Sequence, residues 1–523
     1  MKTYFKIITS VALVFAFFSC SEKDIVDLKP INAIASELAF TTPTLIDASM
    51  NGMYNAASIG VYNGAGGRGY VWGAAFVQQG DNRGEDVLNL AAFYQLTYTA
   101  TYDANSANIE GYWVDGYRLI NRCNLIIEGV NDAVSKNIIT SAVGTRFIAE
   151  ARFLRAITHF ELLNYFARPF NFTAAATHPG LPYREVGVDT NAEIEAEKVK
   201  GRNTVADCYT KVLADLDFAE ANAAVATASN KFRATRQAAI AFKTRVNLQK
   251  RDWDRVILEG NKLAASSGVI NLAATQAAAF TIGNNIEQVF AIQHGAAPGQ
   301  NPGANGALAQ MYKNRVLIAI SPIIWRNASW LLDDRRRENN VMTTRVDGMV
   351  LTNKYTDVTN NSDAAPVIRY AEVLLNMAEA NARKSSPDLV SALAQLNRVR
   401  NRSLADVATQ AYTAATFSTA TALVGAILTE RRIEFLCEGR RWSDIHRLQG
   451  DNLFPINGIP AKVASGTVAI PLAIERYTLG TPYSGALGVL AIPGNDFRFL
   501  WPIPFRETSQ NPVLRGEQNP GWQ

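Results

Sequence analysis

The chain has 523 residues, 48% of them hydrophobic, enough to bury a large core and, by length alone, to make two to four domains. Lysine and arginine number 51 against 47 aspartates and glutamates, and this small excess is spread without a basic run, which argues against nucleic acid as a partner. Cys20 stands near the N-terminus, while Cys123, Cys208 and Cys437 have neither the number nor the spacing of a disulfide framework or metal site and read as small buried apolar residues.

In chain order, Lys2 and Lys6 precede an apolar run, Ile7 to Phe18, too short to cross a bilayer; this is the pattern of a signal sequence over residues 1–19. Phe17-Phe18-Ser19-Cys20 resembles a bacterial lipobox, with Phe17 where leucine is usual. Cleavage before Cys20 would leave its thiol and amine to carry the acyl chains of a stable anchor. The polar, acidic Ser21-Glu22-Lys23-Asp24 resembles the signal that sends lipoproteins of the Bacteroidetes to the outer face of the outer membrane. Residues 20–36 thus read as a lipidated N-terminus and tether.

A helix is expected over 44–57, then long loops with short strands over 60–105, where Gly, Asn, Tyr and Thr are dense. Two long helices follow, over 108–133 and 146–168. In the second, RFIAEARFLRAITHFELLNYFARPF, apolar residues cover far more than the roughly 100° of a helix with one wet side, so it should be buried on several faces. Arg152 and Arg155 there need carboxylates or carbonyls from other segments. Further helices are expected over 204–222, 236–250, 253–267, 367–384 and 389–402, in pairs of the tetratricopeptide type that stack because each alone exposes an apolar face. Irregular stretches over 271–363 and 451–498 are long enough to be functional.

Few motifs carry chemistry. Gly64-Ala65-Gly66-Gly67-Arg68-Gly69 matches a dinucleotide-binding pattern in form but follows a helix and lacks a β-α-β context, so no cofactor is expected. His159, His178, His294 and His446 have no zinc spacing, and no Gly-x-Ser-x-Gly elbow occurs, so neither a metal nor a serine nucleophile is expected. A glycosidase carboxylate pair is assembled in space and is not legible here. In ILTERRIEFLCEGRRWSDIHRLQ, residues 427–449, Glu430, Glu434 and Glu438 recur among Arg431, Arg432, Arg440 and Arg441, which suggests a partly buried ion-pair network.

Three stretches together, EARFLRAITHFELLNYFARPF, TERRIEFLCEGRRWSDIHRL and FLWPIPFRETSQNPVLRGEQNPGW, resemble the signature regions of the SusD/RagB proteins, nutrient-binding outer-membrane lipoproteins of Bacteroidetes. FKTRVNLQKRDWDRVI resembles the family's helical-repeat segment. The resemblance implies a mostly α fold: a scaffold of tetratricopeptide-like helix pairs with a loop-rich ligand-binding face and short strands. It implies one body over residues 37–523, with an N-terminal part to about 230 and a C-terminal part from about 231. It also implies a non-catalytic, cell-surface protein that captures oligosaccharide, or in some members peptide, and delivers it to a SusC-like TonB-dependent transporter. A glycoside hydrolase is the competing class.

A glycan site needs aromatic rings beside planar donors and acceptors, because sugars present flat C–H faces with polar rims. Trp72, Asp81, Asn82, Arg83, Tyr94, Tyr98 and Tyr102 in the first loop region, and Tyr312, Trp325, Arg326 and Trp330 in the central insertion, are the expected contacts. The resemblance places the ligand face on loops of these two regions.

Overall fold

The computed structural model describes residues 38–60, 67–297, 299–345, 348–464 and 474–522. The signal sequence over 1–19, Cys20 and the tether over 20–36 lie outside the described residues. The helices that build the scaffold are α1 (Pro43–Ile59), α2 (Ala74–Asn82), α3 (Ala107–Ser135), α4 (Ser141–Phe166), α5 (Val205–Asn222), α6 (Arg236–Lys250), α7 (Trp253–Lys262), α8 (Tyr370–Arg383), α9 (Leu389–Asn401), α10 (Ala420–Glu434) and α11 (Arg441–Arg447). Successive long helices pack on one another, α3 on α4, α4 on α5, α5 on α6, α6 on α7, α7 on α8 and α8 on α9, as stacked helical pairs do. Thr140, Thr204, Thr235 and Thr419 set the starts of α4, α5, α6 and α10, each accepting a hydrogen bond from the backbone N–H three residues on.

From Phe153 to Phe166 every residue of α4 is buried, which explains its lack of an apolar stripe. Its Arg155 finds Asp215 on α5, donating from Nε at 2.9 Å and Nη2 at 2.8 Å. Arg152 lies over the Phe218 ring at 4.2 Å. Among the described residues, one apolar core runs from Ile46 to Ile503 and takes in Cys123, Cys208 and Cys437, all three unpaired.

The stack is interrupted between α7 and α8 by an excursion that leaves and returns through an antiparallel pair, β2 (Gln288–Ile292) with β6 (Ala365–Arg369). It carries three short strands, β3 (Ile318–Ile320), β4 (Met342–Thr344) and β5 (Val350–Thr352); β1 (Val87–Asn89) lies in the first loop region. Two sequence expectations need correction. The stretch 60–105 is not only loop, since it contains α2, whose residues are all buried and therefore show no helical period. Gly80 sits inside α2 because a Cβ there would come within 2.4 Å of the Gly439 carbonyl oxygen. The helix expected from 367 begins at Tyr370: Pro366 and the β-branched Val367 and Ile368 belong to β6.

Most of the 427–449 network is buried, with Arg432 and Arg441 half-buried. Arg369 donates to Glu434 at 2.7 Å, Glu438 at 2.8 Å and Glu287 at 2.5 Å. Arg336 reaches Glu430, Glu434 and Asp334, and Arg402 reaches Glu434 and Glu287. Glu434 therefore holds a guanidinium from the excursion, one from β6 and one from Arg402 just past α9. Replacing it with Ala leaves three arginines short of a partner with no water to take over, and should cost about 3–5 kcal/mol of unfolding free energy in urea titrations; a loss below about 1 kcal/mol would show that the charges are solvated.

Candidate ligand-binding face

The two loop regions named from sequence do meet. β1 pairs antiparallel with β3, Val87 against Ile320 and Asn89 against Ile318, and the Leu90 N–H extends the ladder to the Leu317 carbonyl at 2.9 Å. A third contributor lies late in the chain. Tyr98 donates its hydroxyl to the Val463 carbonyl at 2.7 Å, and Lys462 donates to the carbonyls of Asn82 at 2.6 Å and Tyr98 at 2.8 Å. Tyr477 donates to the Ile320 carbonyl at 2.9 Å. Segments 87–102, 315–330 and 474–491 are thereby drawn to one side of the scaffold.

The individual side chains expected to touch ligand are mostly underneath this face. Trp72, Asp81, Asn82, Arg83, Tyr94, Tyr98, Tyr102, Tyr312, Trp325 and Trp330 are all buried, and only Arg326 is half-exposed. The reason is size: large rings remove most apolar surface when packed inward, and each finds an internal partner. Trp72 packs on Phe76 at 4.9 Å, Tyr94 on Phe93 at 4.7 Å, Tyr312 on Tyr355 at 5.4 Å and Trp325 on Trp330 at 5.2 Å. The last two sandwich Arg337, whose guanidinium lies 4.4 and 4.3 Å from the ring centres. Arg83 lies 3.7 Å over Trp442 and donates to the Tyr102 hydroxyl at 3.1 Å and the Phe499 carbonyl at 2.6 Å. Burial lowers its affinity for a proton, which the Tyr102 contact partly offsets. Tyr102 in turn donates to the Arg498 carbonyl. Asn82 turns back to the Gln78 carbonyl.

What the loops leave outside differs from those residues. Phe93 is half-exposed under the guanidinium of Arg68 at 4.4 Å, and Leu96, two residues past Tyr94, is exposed. Arg326 ties down the late loop, donating to the Thr481 carbonyl at 2.8 Å and its hydroxyl at 2.6 Å, with Tyr483 half-exposed 5.9 Å from its guanidinium carbon. Leu487 and Leu490 project into solvent. The sequence signal for these was the Gly-rich texture of 478–491 and the step from Ala91-Ala92 to Phe93; aromatic size alone pointed inward. The acids of 427–449 offer no free carboxylate pair: Glu430, Glu434 and Glu438 each accept from arginine or lysine, and Asp444 from Arg431 at 3.0 Å and Arg447 at 2.7 Å. Among the described residues, no three His, Cys, Asp or Glu side chains gather as metal ligands.

The model of the SusD family matches residues 327–522, and that described as starch-binding associating with outer membrane matches 25–248. A SusD-like protein of Bacteroides ovatus is 24% identical over 255 residues, 49% of this chain but 40% of that protein, so the match spans less than half of that relative. A SusD superfamily structure from Bacteroides fragilis superposes with a TM-score of 0.73 at 25% identity, covering 91% of this chain and 99% of that one. One from Bacteroides thetaiotaomicron gives 0.73 at 21% identity, over 92% and 100%, and surface glycan-binding protein A from Bacteroides fluxus gives 0.64 at 19%, over 92% and 100%.

Asp81 separates a structural from a ligand-contacting role. Burial pushes its carboxyl up to about 8; Glu438 and Asp86 add to the rise, and the Gly439 N–H and Lys354 oppose it. A carboxyl raised in the fold stabilises it while protonated, so that contribution is complete below the unfolded value near pH 4 and is lost as pH rises through about 8. Asp81→Asn should flatten the stability profile between about pH 4 and 8 while leaving ligand affinity unchanged; thermal melts across pH and a ligand titration check both.

Proposed function

The chain belongs to the SusD family, and from that premise we propose that it captures oligosaccharide at the cell surface and hands it, uncleaved, to a SusC-like TonB-dependent outer-membrane transporter. The observation that carries the reading is the convergence of three loop segments on one side of a rigid helical stack, with Phe93 and Tyr483 offered beside arginine. A sugar ring lays its C–H face on such an aromatic ring while its hydroxyls meet guanidinium and backbone donors. The family's matched description as starch-binding, and the names of relatives that bind sugar or glycan, support carbohydrate over peptide. Pairing of every acid in 427–449 with a cation weighs against these acids as the carboxyls of a glycoside hydrolase, which needs one free to donate a proton and another free to attack or to activate water.

In this reading Cys20 carries the lipid and residues 20–36 act as a leash. No helix among the described residues is long and apolar enough to cross a membrane. Tethering raises the effective concentration of the protein at its transporter, so even a modest intrinsic affinity through a large contact on the helical-repeat face keeps the pair assembled. Cys20→Ala should release the protein from membranes in fractionation and leave glycan affinity intact; retention without acylation, or loss of binding on release, would count against the leash.

Incubation with a panel of plant and host glycans tests the central claim. Binding without product is expected; product release would make it an enzyme, and binding confined to oligopeptides would shift the ligand class. Phe93→Ala and Tyr483→Ala should each weaken the bound glycan roughly 3- to 10-fold, the worth of one stacking contact. Trp325→Ala should instead act through a lower melting temperature, since that ring is buried.

A further inference from the structure

A cavity of about 640 Å³ opens between α10, α11 and the turn at 451–456. It sits behind the loop face, because Glu85 and Asp86, which immediately precede β1, reach the two arginines that line it. Arg432 puts Nε and Nη2 on Asp86, at 3.0 and 2.5 Å, and Arg441 puts Nε and Nη2 on Glu85, at 3.0 and 2.6 Å. The remaining Nη1 of each makes no hydrogen bond with any described residue, and the two side chains keep 20% and 10% of their surface open. Thr429 has committed its proton to the Gly425 carbonyl at 2.9 Å and is left as an acceptor. Leu428, Leu453 and Phe454 form the apolar wall. Phe454 lies close against α10 because position 425 is glycine; a Cβ there would come within 3.2 Å of its ring.

The lining is thus two planar donor edges and a hydroxyl oxygen beside an apolar wall, in a volume typical of small-ligand sites. Its electrostatics select further. The two guanidinium charges are matched one for one by Glu85 and Asp86, and the Asp444 carboxylate that also lines the cavity, with Glu379 behind it, matches Arg431 and Arg447. An anion entering would find donors but no net positive charge, whereas a neutral hydroxylated ring loses nothing to repulsion. We propose that this cavity is a second saccharide subsite, separate from the loop face, that takes one or two neutral sugar rings, with the C–H face on Phe454 and Leu453 and hydroxyls on Arg432, Arg441 and Thr429. It rests on the carbohydrate reading above.

The test uses the purified full chain and methyl glycosides of glucose, galactose, mannose and xylose, with methyl glucuronide and galacturonide beside them, observed by saturation-transfer NMR. Phe454→Ala removes the wall and Thr429→Trp fills the mouth; the arginines are left in place because their loss would strand Glu85 and Asp86. At least one neutral glycoside should bind, both variants should weaken it tenfold or more with melting temperatures near the parent's, and Phe93→Ala with Tyr483→Ala should leave it within twofold. Should one variant fail to fold, the other alone decides. Binding that neither variant disturbs places the sugar elsewhere and overturns the subsite while the carbohydrate reading stands. Silence from every neutral glycoside also overturns the subsite, and the longer glycans then judge the carbohydrate reading separately. Tighter binding of either uronide overturns the neutral assignment.

Discussion

The structure depends on the pairing of buried charge. A guanidinium or carboxylate taken out of water is tolerable only when a partner of opposite sign meets it with good geometry. Here the partners come from distant parts of the chain. Glu434 alone joins the excursion, β6 and Arg402 just past α9 to the end of α10, and Arg245 on α6 joins Glu161 on α4 at 2.9 Å to Glu372 on α8 at 2.6 Å. Arg440 reaches the same Glu161 at 3.0 Å, and Arg447 clasps Glu379 on α8 at 2.7 Å. Stacked helices could slide along one another if only leucine and alanine filled the seam. Each bidentate pair fixes a register and prevents that sliding. The loop face inherits its position from these contacts, since Glu85 and Asp86 fasten the start of β1 to α10 and α11.

The scaffold was legible because its cues are local. The wide apolar coverage of α4 and the alternation of acids and arginines in 427–449 each state something about their own neighbourhood, and the ends of α3, α4 and α6 fall within a few residues of where the pattern puts them. α2 was not legible. A helix enclosed on every side has no wet face to impose a period, and Gly80, which argues against a helix in isolation, is required by the Gly439 backbone more than three hundred residues away.

The candidate ligand face divides along the same line. That the first loop region and the central insertion come together followed from the family resemblance, and β1 with β3 supplies the contact. Which side chains face outward did not follow, because composition favours Trp and Tyr as contacts without saying whether the ring looks out or in. Trp325 and Trp330 enclose Arg337 and Tyr98 holds Val463, so both sets serve the shape of the face from below. The third segment, 474–491, was visible only as irregular sequence, and its place beside the other two is set by hydrogen bonds from Tyr477 to the Ile320 carbonyl and from Arg326 to Thr481.

The layering of that face bears on how such a protein diversifies. The anchors are buried and each serves several neighbours, as Arg83 does for Trp442, Tyr102 and Phe499, so change there is paid for in folding. The tips, Leu96, Leu487 and Leu490, stand exposed to solvent. Mutation at the tips can therefore sample new surface chemistry while the fold stays above its stability threshold. A scaffold divided in this way is suited to acquiring new preferences by drift, one exposed residue at a time.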